Sequence, residues 1–230
     1  ATLFQKFIRS VLFVSNQFYG KHILTIMKLT LHLSLLTLLA FSVSYLNGQN
    51  WTNWRGPNFN GSSTTSESLP VKFDLKKGVK WKNELPGPSA STPIITDQHV
   101  FISSIKVTDE KSGSGELLAM CYDRHTGDLN WKRKAGSGYR PGNQDGFDYQ
   151  LDSRSNYASP SPVTDGERVV FFYGNGDLVS YLMNGSEEWR RNIQKEYGDF
   201  CFQWTFSSSP TIFKNKLYLP VLQRNEVVHG

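Results

Sequence analysis

Ala158-Ser159-Pro160-Ser161-Pro162-Val163-Thr164-Asp165, followed by Arg168-Val169-Val170-Phe171-Phe172 and Gly174-Asn175-Gly176, is the stretch that decides the fold. Small residues lead into a β-branched pair, a polar turn follows, and branched and aromatic residues then fill a buried strand. Gly174-Asn175-Gly176 is a strong hairpin signal. Asn184-Gly185 repeats the signal and delivers Glu187-Glu188-Trp189-Arg190. The pattern predicts four strands, Ala158–Thr164, Arg168–Tyr173, Leu178–Leu182 and Glu187–Arg191.

The unit recurs on both sides. Its small-residue lead-in appears as Ala90-Ser91-Thr92-Pro93-Ile94-Ile95-Thr96-Asp97 and as Ser207-Ser208-Ser209-Pro210-Thr211-Ile212. The apolar strands that follow are His99-Val100-Phe101-Ile102 and Lys216-Leu217-Tyr218-Leu219. Its tryptophan recurs in Val79-Lys80-Trp81-Lys82 and Leu129-Asn130-Trp131-Lys132. Thr126-Gly127 stands before Trp131 as Asn184-Gly185 stands before Trp189, and glycine there suits a tight turn that needs positive φ. Four strands in about 40–45 residues are the signature of a propeller blade. No 3.6-residue period follows residue 48. The expected fold is all-β, a partial β-propeller of four-stranded antiparallel blades, about two and a half of them plus a closing strand.

Asn156 to Val169, the segment Cys121-Tyr122-Asp123-Arg124-His125-Thr126-Gly127-Asp128-Leu129-Asn130-Trp131 and the opening Asn53-Trp54-Arg55-Gly56-Pro57 resemble the pyrroloquinoline-quinone (PQQ)-like propeller repeat. The likeness runs from about Trp51 onward and is to the exported bacterial members, related in fold to the propeller lipoprotein of outer-membrane protein assembly. It implies that Trp81, Trp131 and Trp189 dock each blade on the next, and that an N-terminal strand, here Val79–Leu85, closes the ring. It also implies about eight blades, so residues 49–230 read as the N-terminal part of such a propeller, truncated within a blade between Leu217 and Gly230. An open ring leaves an unpaired, aggregation-prone edge.

The first 48 residues stand apart. Met27, Lys28 and the Leu-rich run Leu29 to Phe41 have the layout of a secretory signal over 27–48. His32, Ser34, Thr37, Ser42 and Ser44 interrupt the apolar run, so a cleaved signal is preferred to a permanent span. Cleavage after Ser44 and after Gly48 both stay open. Residues 1–26 contain no start and read as an upstream, non-native segment or as a presequence. The expected location is the periplasm or the outside of the cell.

Charge argues against nucleic acid. Residues 1–48 hold Lys6, Arg9, Lys21 and Lys28 and no acid, which leaves 21 basic against 20 acidic side chains from Gln49 onward. Phosphate binding needs a basic stripe that releases counterions, and that surplus is missing. Lys132-Arg133-Lys134 and Arg190-Arg191 read as solvated strand ends.

Chemistry is sparse. Cys121 and Cys201 form neither a CxxC pair nor a zinc spacing. Buried free thiols are the simpler reading, and a disulfide stays open. The five histidines include no HxxxH pair. Asn143-Gln144-Asp145-Gly146-Phe147-Asp148 lacks the spacing and distant Glu of an EF-hand. Gly136-Ser137-Gly138 leads into no helix, so a phosphate loop fails on context. Asn50, Asn60 and Asn184 open glycosylation sequons, relevant only outside bacteria.

A PQQ-dependent alcohol or sugar dehydrogenase is the catalytic alternative. The resemblance implies that such an enzyme carries a vicinal cysteine pair and acidic and amide calcium ligands, and no adjacent cysteines occur here. The leading reading is a non-catalytic binding or scaffolding propeller for protein, peptide or polysaccharide, without a cofactor and without a stable membrane span after signal cleavage. Its ligand residues are sought in long loops on the rigid scaffold: Tyr139, Arg140, Asp145, Asp148, Arg154, Asn156 and Tyr157, with Gln203 and Trp204 before the third blade.

Overall fold

A computed structural model describes residues 49–64, 71–72, 74, 76–109, 114–138, 156–200 and 205–221, all within the unit Gly48–Gly230. The upstream segment 1–26 and the signal segment 27–48 lie outside the described residues. No helix among the described residues is long and apolar enough to cross a membrane.

Two four-stranded meanders and a hairpin make up the fold. Blade 1 runs β1 (Ile94–Ile95), β2 (His99–Asp109), β3 (Ser114–Asp123) and β4 (Leu129–Ser137), each antiparallel to the next. Blade 2 repeats this with β5 (Val163–Thr164), β6 (Arg168–Phe172), β7 (Asp177–Leu182) and β8 (Glu187–Asn192). A third module contributes β9 (Thr211–Phe213) and β10 (Lys216–Tyr218). The partial propeller read from the repeat is thus present, as two blades and the opening hairpin of a third.

Strand parity explains the apolar runs. In β6, Val169 and Phe171 face blade 1 and share a core with Phe101, Ile105, Leu117, Cys121 and Trp131. Val170 and Phe172 face the other way and pack with Val163, Leu178, Phe200 and Phe206, with Ile212 and Leu217 of the third module against them. Both faces of one sheet are covered, so the strand reads as continuous apolar sequence rather than alternation.

The turns follow their residues. Gly176, at φ +90°, closes the β6–β7 turn with its N–H on Tyr173 O at 2.9 Å. Lys214 and Asn215 both have positive φ (46° and 59°) between paired Phe213 and Lys216, which is the two-residue turn whose twist suits a hairpin.

Two expectations change, the extent of one strand and the absence of helix. The first strand of blade 2, expected over Ala158–Thr164, shrinks to Val163–Thr164 because Pro160 and Pro162 have no N–H for a ladder. Val79–Leu85, read as the strand that closes a ring whose last blade is not in this sequence, carries no strand pairing among the described residues, and Trp81 docks on blade 1. A single helical turn, α1 (Ile193–Tyr197), follows β8 where no helix is expected. Asn192 caps it by accepting from Lys195 N at 3.0 Å, and Ile193 anchors it in the core.

Candidate functional site

The blades meet along two seams. At the outer seam, formed by the fourth strands, Trp131 Nε1 donates to Met183 O at 2.8 Å and its ring covers Gly185. A Cβ on Gly185 would lie 2.7 Å from that ring, so only glycine fits. Trp81 does the same to blade 1: Nε1 donates to Arg124 O at 2.9 Å and the ring covers Gly127. Arg124 and Met183 are each the first residue beyond a third strand, so the two sockets are equivalent. Two positions after each indole, Asn83 donates to Gly127 O and Arg133 to Gly185 O.

A bulge sets the indole's aim. The β3–β4 register slips between Cys121 and Tyr122, and the β7–β8 register between Ser180 and Tyr181, each opposite the Trp. The extra residues, Asn130 and Glu188, bond sideways to Cys121 Sγ (4.0 Å) and Ser180 Oγ (3.0 Å). Bulges re-aim side chains in this way. Trp131 is 6% exposed, while Trp189 is half-buried against the third module.

At the inner seam, formed by the first strands, the chemistry is hydroxyl and proline. Thr92, Ser161 and Ser209 each precede a proline, Pro93, Pro162 and Pro210. Thr92 N donates to Ser161 Oγ at 2.8 Å, and Ser161 N donates to Ser209 Oγ at 3.0 Å. Extended geometry before proline leaves these N–H groups without a ladder partner, and the next blade's hydroxyl satisfies them. The opening segment threads the same seam. Trp51 N donates to Ile95 O at 2.7 Å, Ile95 N to Trp51 O at 2.8 Å, and Thr164 N to Thr52 O at 3.0 Å.

Where this segment passes the first strands a cavity of about 720 Å³ opens, a size usual for ligand sites, ~300–1,000 Å³. Asn53, Trp54, Arg55 and Phe59 line one side; Ala90, Ser159, Ser161, Ser207, Ser208, Ser209, Thr211 and Pro220 line the other. Trp54 is 55% and Phe59 45% exposed. The Arg55 guanidinium lies 5.7 Å from the Trp54 ring centroid and donates to Asn60 O at 3.2 Å. Asn53 Oδ1 accepts from Arg55 N at 3.2 Å and fixes the turn. Among the described residues, Arg55 is the one charged residue in the lining.

Of the loop residues expected to hold ligand, Asn156 and Tyr157 are among the described residues. Tyr139, Arg140, Asp145, Asp148, Arg154, Gln203 and Trp204 fall outside the described residues, as does Cys201. Asn156 is 1% exposed, and its side chain accepts from Ala158 N at 3.0 Å in the turn that leads into blade 2. Tyr157 is half-buried against Gly138 and Gly174, and burial raises its phenol. Cys121 is fully buried in the core shared by the blades, which pushes its thiol up to about 12. The inner-seam serines were read in the sequence only as part of a small-residue lead-in; the signal that could have found them is the hydroxyl residue before proline in each repeat. The signal for Trp54 and Arg55 was their place in the opening Asn53-Trp54-Arg55-Gly56-Pro57, which carries the same resemblance as the blades.

The family model described as outer membrane protein assembly factor BamB, built on the PQQ-type repeat, matches residues 71–219. No curated protein matches the chain.

Proposed function

The chain belongs to the PQQ-type repeat family of the outer membrane protein assembly factor BamB, and from that premise we propose that it is an exported, non-catalytic binding scaffold for protein, peptide or polysaccharide. Its ligand site is the inner-seam cavity, between the opening segment and the first strands. The observation that carries this is the composition of the cavity wall. An exposed indole, an exposed phenyl ring, a guanidinium and a row of hydroxyls converge there, and among the described residues no His, Cys, Asp or Glu lines it. Aromatic and Arg side chains on rigid supports are the usual anchors of recognition. Serines without a neighbouring base are poor nucleophiles, so the wall suits binding rather than group transfer.

The dehydrogenase alternative fits the residues poorly. Cys121 and Cys201 are not adjacent, and Cys121 is sealed in the core as a protonated thiol. Among the described residues the cavity supplies one amide, Asn53, and no carboxylate for a calcium ion. Export rests on the signal-like residues 27–48 and on the exported character of the resembling proteins.

Filling the cavity tests the proposal. Ser208→Trp places an indole at an exposed position of the lining. Polysaccharide and peptide panels are titrated against the full chain and the variant by calorimetry, with the thermal midpoint showing that the variant is folded. Binding that is lost in folded Ser208→Trp supports the site. Binding that survives, or alcohol oxidation by the full chain supplied with PQQ and calcium, overturns it.

A further inference from the structure

Within that proposed binding role, we infer that the inner-seam cavity takes an acidic sugar, a pyranose ring carrying a carboxylate or sulfate group.

Peptides are bound at sheet edges chiefly through the main chain. That route is taken here. Trp51 already holds both the N–H and the C=O of Ile95, and Thr52 O already accepts from Thr164 N. The edge groups of β1 and β5 at these positions are spent on the protein's own opening segment. What the cavity offers is side-chain chemistry.

That chemistry matches a sugar ring. The face of Trp54 is open for the C–H groups of a pyranose, with Phe59 beside it. Phe59 stands at φ +56°, a left-handed conformation that is uncommon for a bulky side chain, and such strain collects at binding sites. Across the cavity, Ser207 and Ser208 make no hydrogen bond among the described residues, and Ser161 and Ser209 accept from N–H groups without donating. Hydroxyls that can both donate and accept suit sugar hydroxyls.

The charge selects the acidic kind. Arg55 is the single formal charge on the wall among the described residues, and its described partners are the Asn60 carbonyl and the Trp54 ring. A guanidinium with no carboxylate beside it is a fork left open for a carboxylate or sulfate.

Oligogalacturonate, a sulfated oligosaccharide, a neutral oligosaccharide of equal length and an acidic peptide are titrated against the full chain by calorimetry and Trp fluorescence. The two acidic sugars distinguish carboxylate from sulfate. At least one should bind at least about tenfold more tightly than the neutral sugar, the scale of one charge-assisted hydrogen bond. Arg55→Gln should remove that preference and leave neutral-sugar binding in place, and Trp54→Ala should weaken both. Added salt should weaken the acidic sugar selectively. Equal binding of neutral and acidic sugars, or binding of the peptide alone, overturns the inference. The binding reading survives if Ser208→Trp still blocks that ligand, and falls with the inference if it does not. Acidic-sugar affinity unchanged in folded Arg55→Gln also overturns the inference.

Discussion

At the outer seam Trp131 sinks its ring onto Gly185 and spends its one N–H on Met183 O. At the inner seam Thr92 and Ser161 pass their N–H groups to serine hydroxyls that keep their own protons. Both seams join blade 1 to blade 2, the inner one running on to the third module, yet one is aromatic and closed, and the other is polar with capacity left over. Closure and recognition are therefore divided between the two edges of the sheets. The outer edge supplies apolar burial, which is where large free energies reside. The inner edge holds position with single hydrogen bonds and leaves volume for a guest.

That division predicts a ranking. Trp131→Ala empties a buried ring site between blades and should destabilise the chain by about 3–5 kcal/mol. Trp81→Ala should cost less, because that ring is only half-buried. Urea unfolding of the full chain measures both. A smaller loss for Trp131→Ala than for any inner-seam substitution would break the comparison at once.

Gly185→Ala comes next. The residue sits at φ +81°, and its new methyl would stand 2.7 Å from the Trp131 ring. Left-handed strain and overpacking together should cost about 2–4 kcal/mol. Gly166→Ala, with φ +98° and nothing within 4 Å of a Cβ, isolates the backbone share and should lose less. Equal losses at the two glycines would mean that the indole yields easily and that the socket is looser than its geometry.

The outer seam was legible because its parts are rare residue types at fixed spacing. Trp81, Trp131 and Trp189 announce themselves, and Gly127 and Gly185 stand four residues ahead of the last two. The bulges at Asn130 and Glu188 were not legible, since an extra residue in a short strand looks like any other. The inner seam was read only as crowding by small residues. Its real task, one blade's N–H on the next blade's hydroxyl, is a contact between residues 69 and 48 positions apart, invisible to local pattern. The same long range hid the cavity, where Trp54 and Arg55 meet serines from two later modules. The helical turn at Ile193 was missed because its signal is one cap residue, Asn192.

Ser161→Ala probes the inner seam directly. The residue is 1% exposed, and the substitution strands Thr92 N–H without an acceptor. A loss of about 1–2 kcal/mol is expected. Ser208→Ala, at an exposed lining position, should stay within about 0.5 kcal/mol while still weakening ligand. A stability loss at Ser208 as large as at Ser161 would mean that the lining serines hold the fold rather than a guest.

The smallest effect distinguishes the two outer turns. In blade 1 the Asp123 carboxylate accepts from His125 N at 2.7 Å and Thr126 N at 2.8 Å. These bonds to Thr126 and His125 hold its carboxyl below the usual range, with the His125 side chain adding a little. In blade 2 the corresponding turn uses neutral Asn184, whose Oδ1 accepts from Ser186 N at 2.9 Å. A depressed folded pKa contributes stability that is complete above the ordinary carboxylate value, about 3.9, and fades as pH falls through the lower folded value. His99, which burial lowers and Asp123 partly restores, is the other titrating neighbour. Asp123→Asn should therefore be slightly less stable than the parent chain at about pH 6, and the gap should narrow by about pH 3. Asp123 is partly exposed and its turn lies at the surface, so the gap is small and is best read as a difference in urea midpoint between paired samples. A gap that stays constant with pH would show that the turn is held by shape alone, as in blade 2, and that the charge on Asp123 is idle.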